Sequence, residues 1–307
     1  MKPYFLFSGT SNPDLSSAIA DRLNHPLDKI EITRFIDNEC RVRVNEEVDG
    51  HPIFVIQSLS QIADQHLVEL CLIGQALKSL KAQQVTAIIP WIGYSKQDKA
   101  FRPGESISAS LVAKFIEAAG FDHVVTLELH SENLIPFFRI PVSELSTHEL
   151  LIGAFHKAGG EVAPETTVVV SPDAGGQSRS ARFAKEIGLP IVYLTKFRDR
   201  ETGEVAVTKL SDPVKGKDAI IFDDIINTGA TAIKTSNFLH VNGASRIYFL
   251  ATHAVLAGYA PEKLSMSDID QIIVTDTISV LREKFIPKLS VVSVAPLLTD
   301  AITSLLS

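Results

Sequence analysis

The segment IIFDDIINTGAT, residues 220–231, determines how the chain around it is organised. It starts with an apolar run that is typical of a strand buried on both faces of a parallel sheet. The run reaches two adjacent carboxylates, Asp223 and Asp224, and a short turn leads into a helical pattern from about residue 232 to Val241. A strand of this kind that turns directly into a helix predicts an α/β unit, with its polar residues beyond the C-terminal end of the strand.

The rest of the chain repeats this alternation of short apolar runs and amphipathic stretches. The runs rich in Val and Ile predict buried strands, which are Ile53–Gln57, Val85–Trp91, His123–Leu129, Thr167–Val170, Ile191–Thr195, Ala219–Phe222, Ile247–Ala251, Gln271–Thr275 and Leu289–Val294. Glycines such as Gly120, Gly188 and Gly243 end the helical patterns between them. Alternating strands and helices with short connections predict parallel sheets with right-handed crossovers.

Two segments depart from the alternation. The stretches Ile30–Phe35 and Cys40–Val44 flank a polar tip and predict a β-hairpin. Residues 196–214 are polar and carry both signs of charge without a helical period, which predicts a long exposed loop or a flexible hairpin.

The composition is that of an ordinary globular protein. The chain has 307 residues, 45% of them apolar and 21% charged, and a net charge of −7. The negative charge opposes general nucleic-acid binding but permits a local cationic pocket. Cys40 and Cys71 lack the spacing of a metal site or a disulfide framework. No apolar run reaches the roughly 20 residues of a membrane span. We therefore expect a cytoplasmic protein with no nucleic-acid or membrane partner.

The turn at residues 227–231 predicts a phosphate site. Backbone N–H groups, the helix dipole and threonine hydroxyls together form an anion cradle, and the carboxylates before it suit sugar hydroxyls, or a metal through water. A polar turn whose aspartates cap the helix is the alternative. The chain contains no G-x-x-x-x-G-K-[ST] motif, and Gly175-Gly176 lacks the spacing of the dinucleotide fingerprint.

This motif resembles the phosphoribosyl-diphosphate loop of the phosphoribosyltransferase fold. Further segments match in order and spacing, namely FIDNE (35–39), PWIGYSKQDK (90–99), TLELHSE (126–132) and VVVSPDAGG (168–176). Together they resemble the ribose-phosphate pyrophosphokinase, or phosphoribosyl-diphosphate synthetase, family over nearly the whole chain. The resemblance implies an α/β protein of two tandem phosphoribosyltransferase-like domains with parallel central sheets and a protruding β-hairpin. The expected domains are residues 1–145, with the ATP hairpin, and 146–307, with the ribose 5-phosphate site; the last helix is able to pack back on the first domain.

The resemblance also implies the reaction. The family transfers the diphosphoryl group of MgATP to the 1-hydroxyl of ribose 5-phosphate, which gives 5-phosphoribosyl 1-diphosphate and AMP. Mg²⁺ is the implied cofactor, and ATP and ribose 5-phosphate are the implied substrates. Because the family builds its ATP site partly from a neighbouring subunit, we expect a homodimer or a hexamer.

The family's functional residues carry over onto matching positions. The implied catalytic cations are Lys196 and Arg198, and the implied metal ligands are His130 and Asp173. The implied ATP-binding residues are Phe35, Asp37, Asn38, Glu39, Lys96, Gln97 and Lys99. The implied ribose 5-phosphate residues are Arg198, Asp223, Asp224, Asn227, Thr228, Gly229, Ala230 and Thr231.

Several positions depart from the commonest family pattern. Asn227 stands in place of a frequent aspartate, and Asn38 replaces a usual glycine. Lys96 and Lys99 replace arginines, so bidentate phosphate contacts become point-charge contacts. The segment 197–217 and the short C-terminus look closer to the short synthetases described from archaea.

Two other functions use the same features. A phosphoribosyltransferase would use the turn with a nucleobase as the acceptor. The additional N-terminal half and its hairpin motif oppose this alternative. A non-catalytic homologue would bind nucleotide or sugar phosphate and regulate a partner, and it would be expected to lose the cations or metal ligands that this chain retains.

Overall fold

The computed structural model describes residues 3–198 and 205–307, and it describes side chains outside residues 196–208. The first part of the chain holds β1 (Phe5–Ser8), α1 (Pro13–Leu23), β2 (Ile30–Arg34), β3 (Cys40–Val44), β4 (Pro52–Ile56), α2 (Ala63–Ser79), β5 (Gln84–Ile88), α3 (Ser108–Ala118), β6 (His123–Leu127), a 3₁₀ helix (Glu132–Phe137) and β7 (Val142–Leu145).

The second part of the chain continues the alternation of strands and helices. It holds α4 (His148–Lys157), β8 (Thr167–Ser171), α5 (Gln177–Glu186), β9 (Ile191–Arg198), β10 (Val205–Leu210), β11 (Asp218–Ile226), α6 (Ala230–Val241), β12 (Ile247–Ala254), α7 (Ala260–Ser265), β13 (Gln271–Thr275), a 3₁₀ helix (Arg282–Lys284), β14 (Leu289–Val292) and α8 (Ala295–Leu305).

Contacts divide the chain into two compact units. The first unit comprises the chain up to Thr147 together with Thr277–Ser279 and Ser293–Ser307. Helix α8 therefore belongs to the first unit, where it packs against α1. The second unit comprises His148–Asp276 and Val280–Val292. Each unit has a hydrophobic core of its own.

The first unit is built on a five-stranded parallel sheet in the order β1-β4-β5-β6-β7. Strand β6 is buried along its whole length and β5 along all but its first residue. Runs of Val and Ile suit these strands because both faces of the sheet are covered. The sheet is thereby a rigid support for the loops that follow each strand.

The predicted hairpin is present as β2 paired antiparallel with β3. Ile30, Ile32, Val42 and Val44 pack on the core of the first unit, and the residues between them are exposed. This alternation fixes the register, because a slip of one residue would expose the apolar side chains.

The second unit is built on a seven-stranded sheet in the order β10-β9-β8-β11-β12-β13-β14, in which only β10 runs antiparallel to its neighbour. Successive residues of β11 alternate between two buried clusters, with Ile221 in one and Ile220 and Phe222 in the other. The Phe222 ring stacks on that of Phe183 from α5, with centroids 3.9 Å apart. Helices therefore cover both faces of the sheet.

The strand order of the second sheet reverses between β8 and β11. From β8 the chain proceeds to β9 and β10 on one side, and it then returns to place β11 on the other side. Open α/β sheets bind ligands in the crevice outside the carboxyl ends of the strands at such a reversal. In the first sheet the strands follow chain order, so no reversal of this kind occurs.

The fold class expected from the sequence is confirmed, and several element ends differ. Strand β6 ends at Leu127 because Glu128 adopts a φ of +35°, which leaves the extended region. Strand β11 continues to Ile226 because β12 extends alongside it, so Asp223 and Asp224 lie within the strand rather than after it. No helix in the described ranges is both long and apolar enough to cross a bilayer.

One further prediction agrees with the structure, and one strand was not predicted. The described part of the 196–214 segment forms an antiparallel β9–β10 pair, which agrees with the hairpin alternative rather than a loop. The sequence did not predict β7, a four-residue strand at the edge of its sheet, because so short a run carries too little periodicity.

Candidate active site

The acid pair, Asp223 and Asp224, lies on β11 next to the reversal of strand order. The Asp224 side chain is fully buried and that of Asp223 is 17% exposed. Arg179 reaches the pair from α5, with its Nη1 2.9 Å from Asp223 Oδ1 and 2.6 Å from Asp224 Oδ1. The Arg179 side chain is itself only 13% exposed. One guanidinium thus forms ion pairs with two carboxylates at a position that is largely shielded from water.

The electrostatic environment of the acid pair favours a ligand that donates hydrogen bonds to the carboxylates. Burial and the neighbouring Asp224 raise the pKa of the Asp223 carboxyl well above its ordinary value, although Arg179 and the Asp224 backbone N–H act in the opposite direction. Hydrogen bonds donated to a carboxylate stabilise its charged form. Sugar hydroxyls are donors of this kind, so the pair is suited to hold a diol.

The turn at residues 227–231 joins β11 to α6. Gly229 has a φ of +73°, which glycine adopts without strain, and a Cβ there would lie 3.0 Å from the Leu264 side chain. The Asn227 carbonyl accepts a hydrogen bond of 2.9 Å from the Ala257 N–H, which anchors the turn. Thr228 is exposed, as are Ala230 and Thr231 at the start of α6. Because the first N–H groups of a helix have no partner within it, this turn can bind a phosphate.

Asp173 follows β8, the strand next to β11. Its Oδ1 accepts a hydrogen bond of 2.9 Å from the Gly176 N–H, so the loop folds around this carboxylate. A Cβ built on Gly176 would lie 3.6 Å from Asp173 Oδ1 and 4.0 Å from Asp223 Oδ1. Asp173 and Asp223 therefore both have a carboxylate oxygen next to Gly176.

The implied metal ligands, one carboxylate and one imidazole, do not make a closed protein cage. Within the described ranges, no group of three or more His, Cys, Asp or Glu side chains could hold a metal ion. Mg²⁺ is commonly held by one or two carboxylates together with substrate phosphates and waters, and it needs no all-protein cage. The Asp173 carboxylate fits that role, and the His130 imidazole is a tolerable but less preferred ligand.

The hairpin tip, Phe35–Glu39, forms a tight turn with an exposed ring. Asn38 has a φ of +72°, which asparagine tolerates better than most residues, and the Phe35 N–H donates to the Glu39 carbonyl at 2.9 Å. Asp37 Oδ1 accepts a 3.2 Å hydrogen bond from the Glu39 N–H. The Phe35 side chain is 52% exposed, and the Arg41 guanidinium carbon lies 5.9 Å from its ring centroid. The tip therefore offers an aromatic face to a planar group.

The loop after β5, residues 89–107, carries the next implied ATP-binding residues. The Gln97 side-chain oxygen accepts a hydrogen bond from the Ser108 hydroxyl, and the Gln97 carbonyl accepts one of 3.2 Å from the Ala109 N–H. These bonds attach the loop to the N-terminus of α3. Lys96 is half-buried, and the exposed Lys99 has its Nζ 5.3 Å from the Phe101 ring centroid.

His130 lies half-buried in the loop after β6. The chain before it is held by two carboxylates, since the Leu129 N–H donates to Glu144 Oε1 at 2.7 Å and Glu128 Oε1 accepts from the Thr147 N–H at 2.9 Å. The site residues of the first unit are therefore at the C-terminal ends of β5 and β6, apart from those on the hairpin tip.

Lys196 and Arg198 belong to β9 by their backbone, and Lys196 pairs with Thr208 of β10. Their side chains lie outside the described residues, so their implied catalytic role remains a prediction.

The sequence reasoning missed Arg179 as a site residue. It lies 44 positions before Asp223, and a lone arginine in a polar helix gives no sign of its partner. The available signal was its place in the helix after β8, at the same sheet edge as the acid pair.

Comparison with known proteins agrees with this geometry. Residues 4–120 match the family model described as the N-terminal domain of ribose phosphate pyrophosphokinase, and residues 204–306 match the phosphoribosyl synthetase-associated domain. The chain is 40% identical to the ribose-phosphate pyrophosphokinase of Aquifex aeolicus, over 97% of this chain and 94% of that protein. The chain belongs to the ribose-phosphate pyrophosphokinase family.

Other members of the pyrophosphokinase family are similarly close. The enzyme of Caldanaerobacter subterraneus is 40% identical over 97% of this chain and 93% of its own length. The crystal structure of phosphoribosylpyrophosphate synthetase from Mycobacterium smegmatis superposes with a TM-score of 0.92 at 35% identity, and it covers 99% of both chains. These relatives are bacterial, and the expected likeness to short archaeal synthetases stays a prediction.

Asp223→Asn tests the electrostatics of the acid pair. A carboxyl whose pKa is raised by folding favours the native state below its unfolded pKa, and that contribution is lost as the pH rises through the folded pKa. The asparagine keeps the shape and cannot ionise. We therefore expect the variant to gain stability relative to the wild type as the pH rises from about 5 to about 8.

Urea unfolding at a series of pH values measures this difference, with Asp212→Asn as the control because Asp212 is exposed. Equal pH dependence of the wild type and Asp223→Asn would contradict the raised pKa. Binding of ribose 5-phosphate should weaken in Asp223→Asn, whatever its stability.

Proposed function

We propose that this enzyme transfers the β,γ-diphosphoryl group of MgATP to the 1-hydroxyl of ribose 5-phosphate. The products are 5-phosphoribosyl 1-diphosphate and AMP. The observation that carries the proposal is the acid pair followed directly by the phosphate turn, in a member of the pyrophosphokinase family that aligns over 97% of its length. The curated relatives are named for the same reaction.

The ribose 5-phosphate site is assigned to the end of β11. The acid pair accepts hydrogen bonds from the ribose hydroxyls, and the turn at residues 227–231 holds the 5-phosphate through its N–H groups and threonine hydroxyls. Arg179 keeps the two carboxylates in place and offsets their repulsion. Asn227 carries no charge, so it adds no repulsion towards the phosphate.

The ATP site is assigned to residues of the first unit. Phe35 stacks on the adenine, and Asp37, Asn38 and Glu39 supply polar groups around the base and its ribose. Lys96, Gln97 and Lys99 face the phosphates. Two lysines give point charges in place of the bidentate contacts that arginines would make.

His130 and Asp173 are assigned to Mg²⁺. When bound, Mg²⁺ neutralises charge on the triphosphate oxygens. Asp173 supplies a hard oxygen ligand, and its Oδ1 is oriented by the Gly176 N–H at 2.9 Å. The loop after β6 sets the position of His130.

The chemical step is a direct displacement. The ribose O1 attacks the β-phosphorus of ATP while the bond between this phosphorus and the oxygen of the α-phosphate breaks. AMP leaves with that oxygen, and the hydroxyl proton passes to solvent. No covalent enzyme intermediate is needed, so catalysis comes from positioning and charge neutralisation. Lys196 and Arg198 on β9 are assigned to stabilise charge on the transferred group.

The two substrates are assigned to different parts of the chain. We assign residues 1–145 to ATP binding and 146–307 to ribose 5-phosphate binding. We also propose a homodimer or a larger homo-oligomer. The exposed Phe35 and Ile36 at the hairpin tip support this, because their own chain leaves them uncovered.

Phosphorus NMR on the purified protein with MgATP and ribose 5-phosphate tests the reaction. We expect AMP and a 1-diphosphorylated sugar in equal amounts, and only with both substrates present. ADP as the sole nucleotide product would instead indicate a conventional kinase. Bound ATP without turnover would indicate a regulatory homologue, and diphosphate formed from a nucleobase and phosphoribosyl diphosphate would indicate a phosphoribosyltransferase.

Lys196→Ala tests the role of β9. Losing one cation that stabilises the transferred group should lower kcat by at least about 100-fold. The thermal midpoint should not fall, since the residue lies on a polar hairpin. Lys209→Ala is the matched control, because the exposed Lys209 lies on β10 opposite Thr195, the neighbour of Lys196. Near-normal turnover in Lys196→Ala would refute the role.

A further inference from the structure

We propose that Asp98 is a positioning residue of the nucleotide site, which fixes the loop bearing Lys96, Gln97 and Lys99 to the loop bearing His130. This inference rests on the proposed function, since it concerns the ATP and metal contacts assigned there.

The geometry joins two loops that follow adjacent strands. Asp98 Oδ2 accepts a hydrogen bond of 3.1 Å from Asn133 Nδ2, and its carboxylate also accepts one from the Ser131 side chain. Asp98 lies in the loop after β5, and Ser131 and Asn133 lie in the segment after β6. A single carboxylate therefore bridges the C-terminal ends of two neighbouring strands.

The partners of Asp98 lie beside the implied ligand contacts. Asp98 stands between Gln97 and Lys99 in the sequence, and Ser131 directly follows His130. Ser131 also accepts a hydrogen bond of 3.2 Å from the Asn133 N–H, which starts the 3₁₀ helix. The bridge thus attaches to a segment that has a defined shape of its own.

The bridge complements a second attachment of the same loop. Gln97 is attached to the start of α3 through Ser108 and Ala109. The same loop is also attached to α2, where the Tyr94 hydroxyl donates a hydrogen bond to Asp64. Asp98 adds to these attachments a direct bridge from the loop of the lysines to the loop of His130.

The charge state of Asp98 strengthens the bridge. Burial opposes its ionisation, but hydrogen bonds from Ser131 and Asn133 and the nearby Lys99 lower the pKa of the Asp98 carboxyl below its ordinary value. Hydrogen bonds to an ionised acceptor are about twice as strong as neutral ones.

A negative charge near a triphosphate opposes binding by direct repulsion. Asp98 can therefore help nucleotide binding only by holding the loops in the competent arrangement. When that arrangement is populated only in part, the apparent Kd rises in inverse proportion to its population.

The test compares Asp98→Ala, Asp98→Asn and Asn133→Ala, and the double variant Asp98→Ala/Asn133→Ala. Lys78→Met is the matched control, because it removes a tie of 2.6 Å between α2 and Asp122, at the end of the sheet where β6 begins. Calorimetry with MgATP in the absence of ribose 5-phosphate gives the Kd. Steady-state kinetics give KM for each substrate. Emission from Trp91, the single tryptophan, reports on the loop after β5.

We expect Asp98→Ala to raise the Kd and KM for MgATP about 10-fold, with KM for ribose 5-phosphate unchanged. The double variant should bind MgATP no more weakly than Asp98→Ala alone, because both substitutions remove the same bridge. Asp98→Asn should fall between the wild type and Asp98→Ala, since its amide oxygen still accepts a hydrogen bond but no longer carries a charge.

Several results would overturn the inference. An unchanged Kd for MgATP in Asp98→Ala, or an equal rise in the KM values for both substrates, would be such a result. The same holds if the increases in Kd of the two single variants multiply in the double variant, or if Asp98→Asn binds MgATP as weakly as Asp98→Ala. Failure of the proposed function has a different signature, because the wild type would then form no AMP while the calorimetric comparison would still report on the bridge.

Discussion

The ion group of Arg179 with Asp223 and Asp224 is the interaction on which the site depends. Two carboxylates lie on adjacent residues of a buried strand, and one of them is fully buried. Isolated charges in such a place are expensive, and removing one partner of a buried pair costs several kcal/mol. The Arg179 guanidinium, which reaches from α5 to β11, offsets the repulsion between the two carboxylates. In the proposed function, a bound sugar diol would donate further hydrogen bonds to this pair and so favour its charged form.

The topology of the second sheet explains why these groups meet. The reversal of strand order between β8 and β11 separates the helices that follow the two strands. The loop after β8 brings Asp173 and the helix with Arg179, and β11 brings the acid pair and the phosphate turn. The proposed metal ligand, sugar-binding carboxylates and phosphate turn therefore derive from two adjacent strands. The first unit uses the ends of β5 and β6 in the same way, with Asp98 joining their loops.

The sequence was sufficient where the signal is local. The acid pair and the turn are only two residues apart, so the chemistry of residues 220–231 could be inferred without a fold. Asn38, which stands in place of a usual glycine, has the left-handed φ that asparagine tolerates better than most residues. The strand periodicity placed the buried strands within a few residues of their observed bounds.

The contacts that join distant parts of the chain could not be inferred. Arg179 and Asp223 are 44 residues apart, and Asp98 and Asn133 are 35 apart. Nothing in the local sequence distinguishes such a residue from a solvated one. The extension of β11 past the carboxylates depends on its pairing with β12, which is again a tertiary effect.

A crystal structure with ribose 5-phosphate bound tests the central claim most directly. We expect the 5-phosphate to lie against the N–H groups of residues 228–231 and the ribose hydroxyls to lie within hydrogen-bond distance of Asp223 and Asp224. Arg179 should keep its contacts with both carboxylates. A sugar phosphate bound elsewhere, with the acid pair and the turn unoccupied at saturating ligand, would contradict the account.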